Sequence, residues 1–214
     1  MKLVAEYSAF STPSWASLVR EAIAVAGARL ESGWSKNFVY HDLAHTASVI
    51  HAADVLAADA QLPDDERALL IIAAAFHDSG YYDDANNHEN LGATYAAEYL
   101  IAHNAPVKAI GRVVHLIQST AIHTRPVTPL QRLLRDADLH YLGMDGFLDN
   151  AERLRREWEL TKNLTYSEKA WMAQNVRFME AHRFHSPYAE ERYGNKKARN
   201  LDALKAHLAQ MSDS

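Results

Sequence analysis

Residues 68–82, ALLIIAAAFHDSGYY, carry the reading of the whole chain. Just upstream, Pro63-Asp64-Asp65-Glu66 supplies a proline and three acids suited to a first helical turn, where the backbone dipole favours carboxylates. Ala68 to Phe76 is then apolar on every face, so this helix must lie at the centre of the molecule. At its end stand His77 and Asp78. A carboxylate beside such a run is costly unless it is paired or bound to a cation. Gly80 and the polar, turn-forming segment 81–88, YYDDANNH, then carry the chain away.

Outward from this helix, the remaining segments also read as helical, and no run alternates with period two. Thr12-Pro13 gives a cap followed by proline at the first helical position, opening a helix to about Leu30, with Gly33 ending it. A second helix starts near Asp42 and runs to the break at Gln61-Leu62-Pro63. After the 81–88 loop come helices from about Glu89 to His103 and from Pro106 to about Gln118. Thr128-Pro129 repeats the cap-and-proline signal before a short helix that delivers Asp136 and Asp138. From about residue 145 the helices are more charged, each with one apolar stripe, as expected of outer helices. The expectation is an all-α, single-domain helical bundle over 1–214, with a core at about 35–145 and outer helices at about 145–211.

Composition agrees with that class. The 214 residues are 48% hydrophobic and 23% charged, ordinary for a globular chain that buries about 70% of its unfolded surface. No cysteine is present, so a metal must be held by nitrogen and oxygen. The N-terminus lacks an apolar leader and no stretch approaches a membrane span, which predicts a cytoplasmic protein with no membrane partner. A formal charge of −5 with no basic block gives no footprint for duplex nucleic acid, though a local pocket for one phosphate is compatible with it.

Three sites can carry chemistry, and they are far apart in sequence. In Tyr40-His41-Asp42-Leu43-Ala44-His45 the two histidines are four apart and share a face if one helix covers both. The second site is His77-Asp78. The third is Asp136-Ala137-Asp138-Leu139, whose two acids cannot both point at one ion from a helix.

The order of these sites resembles the HD superfamily of metal-dependent phosphohydrolases, all-α proteins in which a histidine, an adjacent His-Asp pair and a distal Asp bind a divalent metal. The resemblance implies His45, His77, Asp78 and Asp138 as ligands of a divalent metal: Mn, Mg, Fe, Co or Zn. YHDLAH is similar to a stretch of the class I cyclic nucleotide phosphodiesterases, which makes His45 the ligand and His41 the proton donor. HDSGYYDDANNHE, DADLHYLG, LRREW and ARNL extend the likeness to a bacterial group of predicted HD phosphohydrolases over roughly 35–205. Two-metal members add histidines after the His-Asp pair, and His88, His115 and His123 are the candidates for a second metal or a phosphate contact.

The implied activity is hydrolysis of a phosphomonoester or phosphodiester in a small phosphorylated substrate, a nucleotide or cyclic nucleotide. Its catalytic set is His41, Asp78 and Glu89. The chain departs from the alarmone hydrolases of the superfamily, which place Glu-Asp where Tyr81 and Tyr82 stand. Asp83, Asp84 and Glu89 are acids available to orient a water. Tyr81, Tyr82 and Trp34 are available to stack a base. Arg112, Arg125, Lys196, Lys197 and Arg199 are phosphate candidates that do not cluster in sequence. Asp136 is instead expected to act as a cap or to pair with Arg132 or Arg135. The alternatives are a di-iron oxygenase of HD type and a non-catalytic ligand-binding module.

Overall fold

A computed structural model describes residues 13–33 and 36–211. These residues form helices joined by turns, with no strand among them, as the all-α expectation requires. In chain order the helices are α1 (Pro13–Gly33), α2 (Leu43–Asp59), α3 (Asp64–Phe76), α4 (His88–Ala102), α5 (Val107–Gln118) and α6 (Pro129–Asp138). A 3₁₀ turn (His140–Gly143) leads to α7 (Phe147–Lys162) and α8 (Glu168–Ala181). A single turn, α9 (Pro187–Ala189), runs through a π-helical turn (Glu190–Gly194) into α10 (Asn195–Gln210). The cap expected at Thr12 and the aromatic at Trp34 lie outside the described residues.

Helix α3 is the axis of the bundle. Every residue from Ala68 to Phe76 is at most 2% exposed, and α1, α2, α4, α5 and α6 pack around it. Its all-round apolar surface explains this placement, because each large side chain gains about 1.5–3 kcal/mol when fully buried. Helix α1 joins the core through Ala16, Val19, Ala22 and Ala26, so the main core begins before residue 35. Phe184, Ala189 and Tyr193 enter it from the C-terminal third. A second apolar cluster, centred on Tyr141, Leu142, Phe147, Met179 and Leu204, fastens α7, α8 and α10 to the outside.

Local chemistry sets the helix ends that matter here. Asp42 caps α2 by accepting the His45 backbone N–H at 2.9 Å. His41 therefore precedes the helix, and the two histidines do not share one helical face. At α6, Thr128 and Gln131 form a reciprocal capping box with Pro129 in the first turn, fixing the start of the helix whose last residue is Asp138.

The exit from α3 is set by contact. Gly80 does not adopt a left-handed backbone, so it is not needed for the turn as such. A Cβ on Gly80 would meet the Leu91 side chain and lie 2.7 Å from the His88 carbonyl. A Cβ on Gly92 would meet the Phe76 carbonyl and lie 3.0 Å from the His77 carbonyl. Two glycines thus let the end of α3 lie directly against the first turns of α4.

Candidate metal centre

Four side chains, from two helices and the exit of a third, converge at this end of the bundle. His45 comes from the first turn of α2, His77 and Asp78 from the end of α3, and Asp138 from the end of α6. His45 Nε2 lies 3.2 Å from Asp78 Oδ2 and 3.5 Å from Asp138 Oδ1. His77 Nε2 lies 3.0 Å and 3.6 Å from the same two oxygens. The ligand atoms of His45, His77 and Asp138 all fall within 4.8 Å of one another, so this group can hold a metal ion. Asp78 lies against both histidines of this group.

The bonding inside the cluster is incomplete. His45 Nε2, His77 Nε2 and Asp78 Oδ2 are buried and have no hydrogen-bond partner. Each such atom costs roughly 1–3 kcal/mol when left unsatisfied. His77 Nδ1 donates to the Ala74 carbonyl at 2.8 Å, which fixes the tautomer and leaves Nε2 as the nitrogen with the free lone pair. Orphaned donor atoms aimed at a common point, with the rear nitrogen held by a backbone carbonyl, are what a cation requires.

Electrostatics support the same fit. Burial disfavours charge on all four groups, yet their mutual pairing overrides it. Burial lowers His45, but Asp138 and Asp78 raise it to about 8, and the same two acids hold His77 well above the usual histidine range. Burial likewise opposes ionisation of Asp78, which His77 and His45 nevertheless hold well below the usual carboxylate range. Asp138 is lowered against burial by His45 and His77. The two carboxylates thus attract positive charge to this point, and a divalent cation would supply it to two neutral imidazoles and two carboxylates with no net charge left over.

His88 stands on the outer side of Asp78. Its Nδ1 donates to the Ala85 carbonyl at 2.9 Å, and its Nε2 lies 3.6 Å from Asp78 Oδ1 and 3.4 Å from Glu89 Oε1. The structure does not bring His115 and His123 to this place. His115 is exposed on α5 and His123 is exposed in the following loop. Among the acids after the His-Asp pair, Asp83 is taken by Arg29 at 2.9 Å and by the Tyr95 hydroxyl at 3.0 Å, and Asp84 accepts the Asn86 backbone N–H. Glu89 alone of the three stays near the cluster.

His41 is held by a residue the sequence did not single out. Glu157 of α7 is fully buried; one carboxylate oxygen accepts from His41 Nδ1, and the other accepts the backbone N–H groups of Tyr40 at 2.8 Å and His41 at 3.0 Å. Burial raises Glu157, but the His41 contact outweighs it and the carboxyl is held low. One turn earlier on α7, Arg153 donates to the Val39 carbonyl at 2.8 Å and pairs with Asp42 at 2.7 Å. Together they clamp the YHD segment. The His41 ring stacks on Tyr81 with centroids 3.8 Å apart, and its backbone carbonyl accepts from the Tyr82 hydroxyl at 2.8 Å. Tyr81 is thus covered by His41 and Tyr82 is tied to its backbone, so neither is open to a base in the manner expected.

Other residues have structural tasks. Asp136 is wholly buried and pairs with neither Arg132 nor Arg135; its two oxygens accept the backbone N–H groups of His185 and Ser186 at 2.7 and 2.8 Å. The Arg135 guanidinium is spent on the carbonyls of residues 119–122. Arg112 pairs with Glu66, Lys196 with Asp145, and Lys197 donates to the His182 carbonyl. No described helix is long and apolar enough to cross a membrane. Comparison of the chain with protein-family models, with curated proteins and with solved structures returned no match.

Proposed function

We propose that the chain is a metal-dependent phosphohydrolase of HD type, acting on a small phosphorylated substrate such as a nucleotide or cyclic nucleotide. The observation that carries this reading is the set of orphaned, buried, convergent atoms: His45 Nε2, His77 Nε2 and Asp78 Oδ2, with Asp138 beside them. His45, His77, Asp78 and Asp138 would hold the ion. When bound, a divalent cation polarises a phosphoryl oxygen and lowers the pKa of water towards about 7.

The protein's own groups supply the rest. Glu157 occupies His41 Nδ1 and leaves Nε2 as the free nitrogen, within one ring-to-ring step of the cluster: 5.7 Å from His45 and 6.3 Å from His88 between centroids. A protonated His41 there can donate to the departing alkoxide of a phosphoester. Glu89, whose Oε1 lies 3.4 Å from His88 Nε2, would accept a proton from an attacking water.

A second reading rests on His88. His88 Nε2 lies 3.6 Å from Asp78 Oδ1 and 3.4 Å from Glu89 Oε1, and a second iron held beside it would favour oxygen chemistry over hydrolysis. A ligand-binding module without turnover is the third outcome. Metal analysis of the purified protein, followed by a screen of phosphate esters with Mn, Mg, Fe, Co and Zn, separates them. Hydrolysis that is lost in a folded Asp78→Ala variant supports the proposal. Absence of any retained divalent metal overturns it, and two irons with O₂-dependent turnover replace it with the second reading.

A further inference from the structure

Helices α1 and α2 both pack on α3, and between them the surface opens into two adjoining clefts of about 300 and 420 Å³. The smaller is lined by Ile23, Ala24 and Gly27 of α1 and by Thr46, Ala47 and Ile50 of α2. The larger continues past Leu43 and Glu31, which border both clefts, to Asp42 and Tyr82. The sequence explains the opening, because Ala24, Gly27 and Ala47 have too little side chain to close it. At Gly27 an added Cβ would lie 3.6 Å from the Leu43 side chain, so the two helices meet there and stand apart on either side. Clefts of this size, apolar with a few polar groups, are the usual form of a small-molecule site.

Two polar groups in the smaller cleft are uncommitted. Thr46 is only 4% exposed, yet its hydroxyl has no hydrogen-bond partner. A helical threonine divides between two χ1 wells, so this hydroxyl can be turned to the cleft when a partner is there. Glu31 is exposed at the junction of the two clefts, and its carboxylate has no hydrogen bond or ion pair among the described residues. Asp42, the other acid, is already committed: it accepts the His45 backbone N–H and pairs with Arg153. Among the described residues, no Lys, Arg or His lines either cleft. The free charge facing this apolar surface is therefore negative. An anionic head group would be repelled by Glu31, and a neutral one would leave it unpaired. An ammonium, with three donors and no acceptor, complements both Glu31 and the Thr46 hydroxyl. From Ile23 to Glu31 the cleft follows α1 for about 12 Å at 1.5 Å per residue, which suits a short alkyl chain.

We propose that the α1–α2 cleft is a binding site for a small primary alkylammonium ion, its chain lying against Ile23, Ala24 and Ile50 and its ammonium held by Glu31, with the Thr46 hydroxyl as a second acceptor. The site is separate from the four-residue cluster and goes beyond the phosphohydrolase reading, since it requires neither a metal nor turnover. Burial of the alkyl chain supplies most of the affinity, and Glu31 supplies the selection among head groups.

The test is calorimetric titration of the full chain at neutral pH with octylammonium, octanol and octanoate, three probes that differ in head group alone. Octylammonium should bind about fivefold more tightly than octanol, as an ion pair at a partly exposed rim allows, and octanoate more weakly than either. Glu31→Gln should bring octylammonium down to the affinity of octanol. Ala24→Leu, at an exposed position that lines the cleft, should fill it and abolish binding of all three with an unchanged circular dichroism spectrum. Equal binding of the three probes, or no binding of octylammonium, would overturn the site. An ammonium preference that persists in Glu31→Gln, or binding that survives Ala24→Leu, would place the amine elsewhere and overturn it as well. Sedimentation velocity covers the remaining occupant: a wild-type dimer that Ala24→Leu converts to monomer would give the cleft to a second copy of the chain and remove the proposal.

Discussion

Glu157 grips His41 twice, through the imidazole and through the backbone N–H, across 116 positions of sequence. Such a carboxylate cannot be removed cheaply. It is fully buried, and its loss would leave two backbone N–H groups and one imidazole nitrogen without partners. Glu157→Ala should lower stability by about 3–5 kcal/mol, the usual cost of breaking a buried charged pair from one side. Glu157→Gln, which keeps shape and one acceptor, should cost less yet still free the His41 ring. If His41 is the proton donor, the Gln variant should lower kcat by tenfold or more with little change in KM, and should alter the pH profile. Urea melts and a kcat–pH series read both effects. A Gln variant with wild-type kcat at every pH would remove Glu157 from any positioning role.

Metal removal offers a test that does not need a substrate. The orphaned atoms of the cluster gain partners only when a cation is bound, so chelation should destabilise the fold. At a thousandfold excess over Kd, a ligand of the native state contributes about 4 kcal/mol. For a domain of this size that corresponds to a rise in Tm on the order of 10 °C. The rise should disappear in His77→Ala and in Asp138→Asn, while His115→Ala should keep it in full, because His115 lies away from the cluster. A Tm that ignores both chelator and added divalent metal would count against a metal centre.

Gly92 links packing to the site. An alanine there would drive its Cβ into the Phe76 carbonyl and crowd that of His77. Backbone atoms at a helix end cannot rotate aside, so α4 must move away from α3. Gly92→Ala should cost about 1–3 kcal/mol, as overpacking does. It should also weaken metal binding, because His77 and Asp78 sit on one side of that contact and His88 on the other. Gly111, which has open space around its Cβ position, is the control: Gly111→Ala should be neutral or mildly stabilising.

The central helix and the four converging side chains were legible for different reasons. Ala68 to Phe76 announces its burial because no polar residue interrupts it, and Thr128-Pro129 announces the start of the helix that ends at Asp138. His45 and Asp138 are individually ordinary, and only their order relative to His77-Asp78 pointed to them. Glu157 left no such trace. It lies in LRREWEL, where charges on an outer helix read as solvent-facing, and its burial exists only because the YHD segment folds over α7. A faint signal was present in Arg153 and Glu157, an i, i+4 pair beside the inward-facing Phe147, Ala151 and Leu154.

His182 gives the fold a predictable weakness in acid. Both ring nitrogens are buried without a partner, between Phe178 and Phe184. Burial first, and then Lys197 of α10, His185, Arg135 of α6 and Arg183, push its pKa down from 6.5 to about 3. The ring is therefore neutral in the native state, whereas the unfolded chain takes up a proton below pH 6.5. The sign follows: stability is complete above pH 6.5 and declines as the pH falls towards 3, by on the order of 1–2 kcal/mol at pH 5. His182→Phe should remove this part of the acid sensitivity, since a phenyl ring has nothing to protonate. Urea melts of wild type and variant at pH 7.5 and pH 5 measure the difference, and parallel losses in both proteins would show that His182 is not its source.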